Sequence, residues 1–309
     1  MRGPSIFRWF IIVLAGLAVM AFFHGQHAAG DFIRLAGAEP IPELPLNEKI
    51  VRIPLEPQAS GKPLLWLEAT LFRPDGAGPF PLLVLSHGTP REAQQRLERQ
   101  RFEAQSWIFV QMGFAVIIPM RRGYGHSEGS YAEEEGECER ARYYEAGMAS
   151  AHDLLATVRF MQTQPYIEAH HIILAGHSSG GFASLALASL GFPGLQGVIN
   201  FSGGRGAKAD QICNPAALID AFARFGRTCR VPTLWIYSEN DTYFRAPLVQ
   251  QLYQAFVSAG GSAQLVKVPP FLAEGHFFFS DVRGLDLWPE TVRSFINRLG
   301  IHGRQISRH

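Results

Sequence analysis

The stretch Gly176-His177-Ser178-Ser179-Gly180-Gly181 places a hydroxyl among small residues, where an apolar run at 172–175 gives way to a helical pattern at 179–190. A serine at the apex of such a strand-to-helix turn presents its Oγ on a strained backbone. Glycines two residues either side remove Cβ atoms that would clash in that turn. The pattern is no dinucleotide fingerprint, because G-x-G-x-x-G needs glycine where Ser178 stands. A serine hydroxyl is a weak nucleophile until a base takes its proton, so a histidine must lie within reach.

Eleven histidines are present, and position discriminates among them. His276 follows the last apolar run in a Glu274-Gly275-His276 turn, ahead of Phe277-Phe278-Phe279. His177 neighbours the nucleophile but should point away from it, while His87, His126, His152, His170 and His171 suit turn, packing or surface roles. The third member must orient the imidazole and stabilise its cation. Asp241 follows the run at 233–237, with Glu239 as the nearest competitor and helix capping as its structural alternative. The oxyanion of an acyl intermediate needs fixed backbone donors. Ser179 N–H is one candidate, and Thr89 N–H, in the turn Ser86-His87-Gly88-Thr89-Pro90, is the other. Pro90 has no N–H to give.

These positions can meet only if the intervening elements bring them to one rim. Residues 47–74 read as paired leading strands, and further short strands follow at 82–85, 115–118, 172–175, 197–201, 233–237 and 263–268. Helical periodicity fills 101–112, 139–162, 179–190, 245–259 and 289–299. Strands without polar alternation, separated by helices, imply a mostly parallel sheet covered on both faces, here of about eight strands. Loops after parallel strands gather at their carboxyl edge, where ligands bind. Residues 203–230 look less regular and are expected to form a small cap.

The His87-Gly88 turn, the loop Arg122-Gly123-Tyr124-Gly125-His126-Ser127-Glu128-Gly129, the Gly176 to Gly181 stretch, Asp241 and Gly275-His276 together resemble the landmarks of α/β-hydrolases. The closest resemblance is to the dienelactone-hydrolase-like and serine-aminopeptidase-like branches, over roughly residues 63–299. It implies acyl hydrolysis with no metal or organic cofactor. Dienelactone hydrolases proper use cysteine where Ser178 stands, and many relatives carry an acidic residue where this chain has Met120-Arg121.

Composition sets the remaining bounds. Hydrophobic residues make up 47% of 309, enough for a sizeable core, and 28 Lys and Arg against 27 Asp and Glu argue against a nucleic-acid partner. Arg2 and Arg8 precede an apolar run at 9–23 and a small-residue stretch to Gly30. Residues 1–30 therefore read as a secretory signal or an N-terminal membrane anchor, placing a single catalytic domain, 31–309, outside the cytoplasm in the periplasm or beyond. Of three cysteines, Cys213 and Cys229 flank the helix-like segment 215–225 and are the expected disulfide, with free thiols as the alternative. Such a bridge would contribute about 3 kcal/mol. Glu133, Glu134, Glu135 and Glu137 read as a solvated loop, Arg205 and Lys208 as surface cations or contacts for a substrate carboxylate, and Tyr124 and Phe244 as pocket walls. The expected activity is hydrolysis of small or medium carboxylic esters. A peptidase acting on short peptides is the alternative, and a non-catalytic binding relative is a third reading.

Overall fold

Residues 47–55 and 65–73 form the two leading strands, β1 (Asn47–Leu55) and β2 (Leu65–Arg73), paired antiparallel. The computed structural model describes residues 46–56, 63–90, 98–208 and 211–301. The segment 1–30, expected to direct export or anchor the chain, lies outside them. No helix among the described residues is long and apolar enough to cross a membrane.

After the leading pair the chain alternates. Strands β3 (Phe80–Ser86), β4 (Ala115–Pro119), β5 (Ile167–His177) and β6 (Leu195–Phe201) are interleaved with helices α1 (Glu103–Gln111), α2 (Tyr143–Gln162) and α3 (Ser179–Leu190). A small hairpin, β7 (Ala207–Lys208) with β8 (Gln211–Ile212), precedes α4 (Pro215–Thr228). Strand β9 (Thr233–Ser238), helix α5 (Ala246–Ser258), strand β10 (Ala263–Val268) and helix α6 (Pro289–Arg298) complete the chain. The eight-stranded sheet runs in the order β1-β2-β4-β3-β5-β6-β9-β10. It is antiparallel only at β1-β2 and β2-β4, and parallel from β4 to β10.

Side-chain alternation divides the apolar interior in two. Leu82, Val84 and Leu174 join residues of α2, α3, α4 and α5 in one core, whereas Leu83, Leu85 and Ile173 join residues of α1 and α6 in the other. All seven residues of β3 are buried, as a strand covered on both faces requires. Of the segment expected to cap the site, residues 204–207 line a cavity, while α4 packs Leu218, Ala221, Phe222 and Phe225 into the first core.

Two local expectations need correction. The helix expected from 139 starts at Tyr143, because Ala141 is extended (φ −58°, ψ 131°) after a single 3-10 turn at Cys138–Arg140. The expected Cys213–Cys229 disulfide does not form. Those residues flank opposite ends of α4, whose 14 residues separate them by about 20 Å at ~1.5 Å per residue, far beyond disulfide reach. Cys213 is bonded instead to Cys138, 75 residues earlier, with Cα atoms 5.2 Å apart. Cys229 is buried and free, its thiol donating to Val231 O at 3.7 Å.

Candidate active site

Because β4, β3, β5, β6, β9 and β10 run parallel across the sheet, the loops leaving them all emerge at one rim. Ser178 stands at the end of β5 and start of α3 with φ 56° and ψ −125°, a conformation rare for a residue with a side chain. Neighbouring backbone holds it there: Ser178 N–H donates to Phe201 O at 2.9 Å, and its carbonyl accepts from Phe182 and Gly204 N–H, each at 3.2 Å. The flanking glycines have steric reasons. A Cβ on Gly176 would lie 2.3 Å from Gly180 C, and one on Gly180 would lie 2.0 Å from Ser86 O. Such approaches explain the small residues on both sides of the serine.

Asp241 and His276 come together. His276 Nδ1 is 3.1 Å from Asp241 Oδ2, and both side chains are almost wholly buried. Asp241 Oδ1 is occupied separately, accepting from Tyr243 and Phe244 N–H at 2.9 Å each, so the carboxylate cannot rotate away. The imidazole lies flat on Tyr243, with ring centroids 4.1 Å apart and planes 7° apart. Glu274 ties the two loops, accepting from His276 N–H at 2.9 Å and Thr242 N–H at 3.1 Å. Gly275 is needed here, since a Cβ would lie 2.4 Å from Asn240 Oδ1.

His177, expected to point away from the nucleophile, supports this loop. Its Nε2–H donates to His276 O at 2.8 Å, and the two rings are 4.9 Å apart. Burial first, then the proximity of His276, lowers the His177 pKa to about 3, which keeps it a neutral donor. With Nδ1 of His276 engaged by Asp241, Nε2 is the nitrogen left to exchange a proton with a hydroxyl.

Thr89 and Ser179, the expected oxyanion donors, are joined through their side chains: Thr89 Oγ1 lies 2.7 Å from Ser179 Oγ. Ser179 opens α3, where a backbone N–H has no acceptor within the helix. Both residues line a cavity of about 320 Å³ together with Ser178. Phe244 lines it as expected, but Tyr124 stands behind Thr89, 2.9 Å from its hydroxyl. Tyr131 and Tyr243 were not singled out from sequence and also line this cavity, since an aromatic residue in a loop carries no periodic signal of what it faces.

The acidic run is not uniformly solvated. Glu133 is buried between two guanidiniums, bonding Arg121 Nε and Arg205 Nη2. Burial pushes its carboxyl up, but Arg121 and then Arg205 outweigh this and hold it well below the usual range. Arg205 is therefore neither a surface cation nor free for a substrate carboxylate, being bonded to Glu133, Glu135 and Ser150. Glu134, Glu135 and Glu137 remain on the cavity wall. Arg121 also donates to Ser86 Oγ at 2.9 Å and His87 O at 2.7 Å. His87 accepts from Arg121 N–H at 3.2 Å through Nε2 and donates to Gly88 O at 2.7 Å through Nδ1. Burial, then Arg121, lowers its pKa to about 3. Arg122 clamps Asp153 on α2, with its backbone N–H at 2.8 Å and Nε at 2.7 Å. Among the described residues, no group of three or more His, Cys, Asp or Glu side chains could hold a metal ion.

The order of strands, the strained serine turn and the loops at the carboxyl rim are those of an α/β-hydrolase, and comparison with solved structures agrees. An esterase of Pyrococcus furiosus superposes with TM-score 0.59 at 17% identity, covering 87% of this chain and 96% of that one. An acylaminoacyl peptidase of Pyrococcus horikoshii gives TM-score 0.60 at 13% identity, covering 85% of this chain and 43% of that one. Residues 65–222 match the profile of the X-Pro dipeptidyl-peptidase (S15) family, about half of the chain, and the chain belongs to that family. The human acylamino-acid-releasing enzyme is 26% identical over 173 residues, a match taking in 53% of this chain and 21% of that enzyme's length. The chain thus spans about a fifth of that relative. Its fold is that of the α/β-hydrolase class.

Proposed function

We propose that Ser178, His276 and Asp241 form a nucleophilic triad that cleaves carboxylic esters. The carrying observation is the 3.1 Å contact of His276 Nδ1 with Asp241, at the same rim where Ser178 is held at φ 56°. Ser178 Oγ attacks the ester carbonyl carbon as its proton passes to His276 Nε2, and Asp241 stabilises the imidazolium. The carbonyl oxygen becomes an oxyanion, met by the N–H groups of Thr89 and Ser179. Collapse breaks the bond to the alcohol oxygen, which leaves with the proton from His276. Water then attacks the acyl-serine, giving its proton to His276; the bond from the acyl carbon to Ser178 Oγ breaks, Oγ takes that proton back from His276, and the carboxylic acid leaves. Ser178→Ala should abolish both turnover of p-nitrophenyl butyrate and labelling by a fluorophosphonate. Substantial residual hydrolysis would sink the assignment.

A second reading is favoured by the carboxylates of Glu134, Glu135 and Glu137 on the cavity wall. They would suit a cationic amino terminus, and so cleavage of short peptides by the same residues, in keeping with the names of the family and of the acylaminoacyl peptidases it resembles. Turnover of p-nitrophenyl acetate or butyrate against aminoacyl-p-nitroanilides decides between the two. Export through residues 1–30 belongs to the same proposal and is supported by the Cys138–Cys213 disulfide, a bond that persists in oxidising compartments. Mass spectrometry of the N-terminus in fractionated cells tests it; an intact terminus in the cytosol would refute it.

A further inference from the structure

The two proposed oxyanion donors are linked to the buried charges through a chain of hydroxyls whose direction is determined. Arg121 Nη2 donates to Ser179 Oγ at 3.3 Å, and at the far end Tyr124 OH donates to Glu133 Oε2 at 3.5 Å. Between them Thr89 Oγ1 lies 2.7 Å from Ser179 Oγ and 2.9 Å from Tyr124 OH. Each hydroxyl has one hydrogen. Tyr124 spends its hydrogen on Glu133, so it accepts from Thr89. Thr89, having given its hydrogen to Tyr124, accepts from Ser179. The path therefore runs from Arg121 through Ser179, Thr89 and Tyr124 to Glu133, and Arg121 Nε donates directly to the same carboxylate, so that two arms from Arg121 enclose a loop. Arg121 and Glu133 are buried, and Tyr124 is only 4% exposed. Their positions are supported from outside the ring by Ser86 and His87 O on Arg121, by Arg205 on Glu133 and by Tyr131 edge-on to Tyr124.

We propose that this closed loop of hydrogen bonds, in which two arms leave Arg121 and meet on Glu133, is a positioning device for the oxyanion site, setting the separation of Thr89 and Ser179 so that their backbone N–H groups converge on one substrate oxygen. Arg121, Tyr124 and Glu133 are positioning residues that act through Thr89 and Ser179. Along the hydroxyl arm each group passes its hydrogen toward Glu133, so its bonds strengthen one another, and loss of a single hydroxyl breaks that arm. The proposal rests on the reading of Ser178 as nucleophile.

The experiment uses the full chain and the variants Tyr124→Phe, Thr89→Val, Thr89→Ser and Ser178→Ala. The readouts are kcat and KM for p-nitrophenyl butyrate and the affinity for phenylboronic acid, whose boron forms a tetrahedral anion on a serine oxygen. Deleting an oxyanion donor outright costs about 10²- to 10³-fold in kcat; misplacing two donors should cost about 10- to 100-fold. Tyr124→Phe and Thr89→Val should show that loss with KM changed by about 2-fold or less, and phenylboronate affinity should fall in parallel. Thr89→Ser, which keeps the hydroxyl, should retain the kcat of the parent. The proposal is overturned if Tyr124→Phe and Thr89→Val keep full kcat while Ser178→Ala is inactive and unlabelled by fluorophosphonate. A Thr89→Ser variant as impaired as Thr89→Val, or a rise in KM with kcat intact, overturns it equally. Turnover retained by Ser178→Ala overturns the nucleophile reading beneath it, a distinct result.

Discussion

Acid should unfold this protein by way of two histidines that the fold keeps neutral. His87 and His177 are buried, and burial is the first cause lowering each pKa from 6.5 to about 3. In the unfolded chain both titrate normally. Between those limits the unfolded state binds protons that the native state refuses, so stability rises with pH. The contribution is complete above the unfolded value, is lost as pH falls from 6.5, and stops changing below about 3. From pH 7 to pH 5 each histidine costs about 2 kcal/mol and the pair about 4 kcal/mol. That is a large share of the 5–15 kcal/mol, roughly, that holds a typical domain together. The assay is guanidinium unfolding followed by tryptophan fluorescence at pH 7, 6 and 5, at constant ionic strength. His177→Gln isolates the effect, because the amide can still donate to His276 O without titrating. The variant should lose about 2 kcal/mol less than the parent over the same interval. Equal losses in parent and variant would refute the reasoning, because His177 would then titrate alike in both states.

Four further outcomes are expected. Gly180→Ala brings a Cβ to within 2.0 Å of Ser86 O, a backbone atom that cannot swing aside. It should lower stability by at least about 3 kcal/mol, and an unchanged melting temperature would contradict this. Cys138→Ser opens a loop with a sequence separation of 75, for a loss of about 4 kcal/mol in denaturant titrations; Cys229→Ser should leave the cross-link intact in non-reducing mass spectra. Glu133→Gln leaves Arg121 and Arg205 facing each other without their shared carboxylate, at a cost of about 3–5 kcal/mol, whereas exposed Glu134→Gln should change stability by about 0.5 kcal/mol or less in the same titration. Asp241→Asn, which favours the wrong imidazole tautomer, should lower kcat by about 10⁴-fold with little change in KM.

Much of the architecture could be read from local pattern. Uninterrupted apolar runs such as 82–85 and 172–175 have no polar face to show solvent, so they must be covered on both sides, and that requirement alone implies a parallel sheet between helices. The Gly176 to Gly181 stretch was legible for a related reason: small residues crowded about one serine mark a turn with no space for side chains. Asp241 and His276 were readable by position after strands, since parallel strands deliver their following loops to one rim.

What tertiary structure alone decided concerns partners distant in sequence. The disulfide joins Cys138 to Cys213 rather than to its nearer neighbour Cys229, because a rigid helix separates cysteines that sequence places close together. Glu133 and Glu134 are adjacent and chemically alike, yet one is enclosed by Arg121 and Arg205 and the other faces water. Nothing in local sequence marks that difference, because charge burial depends on which side chains the fold brings alongside. The same holds for His177 beneath His276 and for Tyr124 behind Thr89. Periodicity determines which way an element faces; only the assembled sheet determines what waits there.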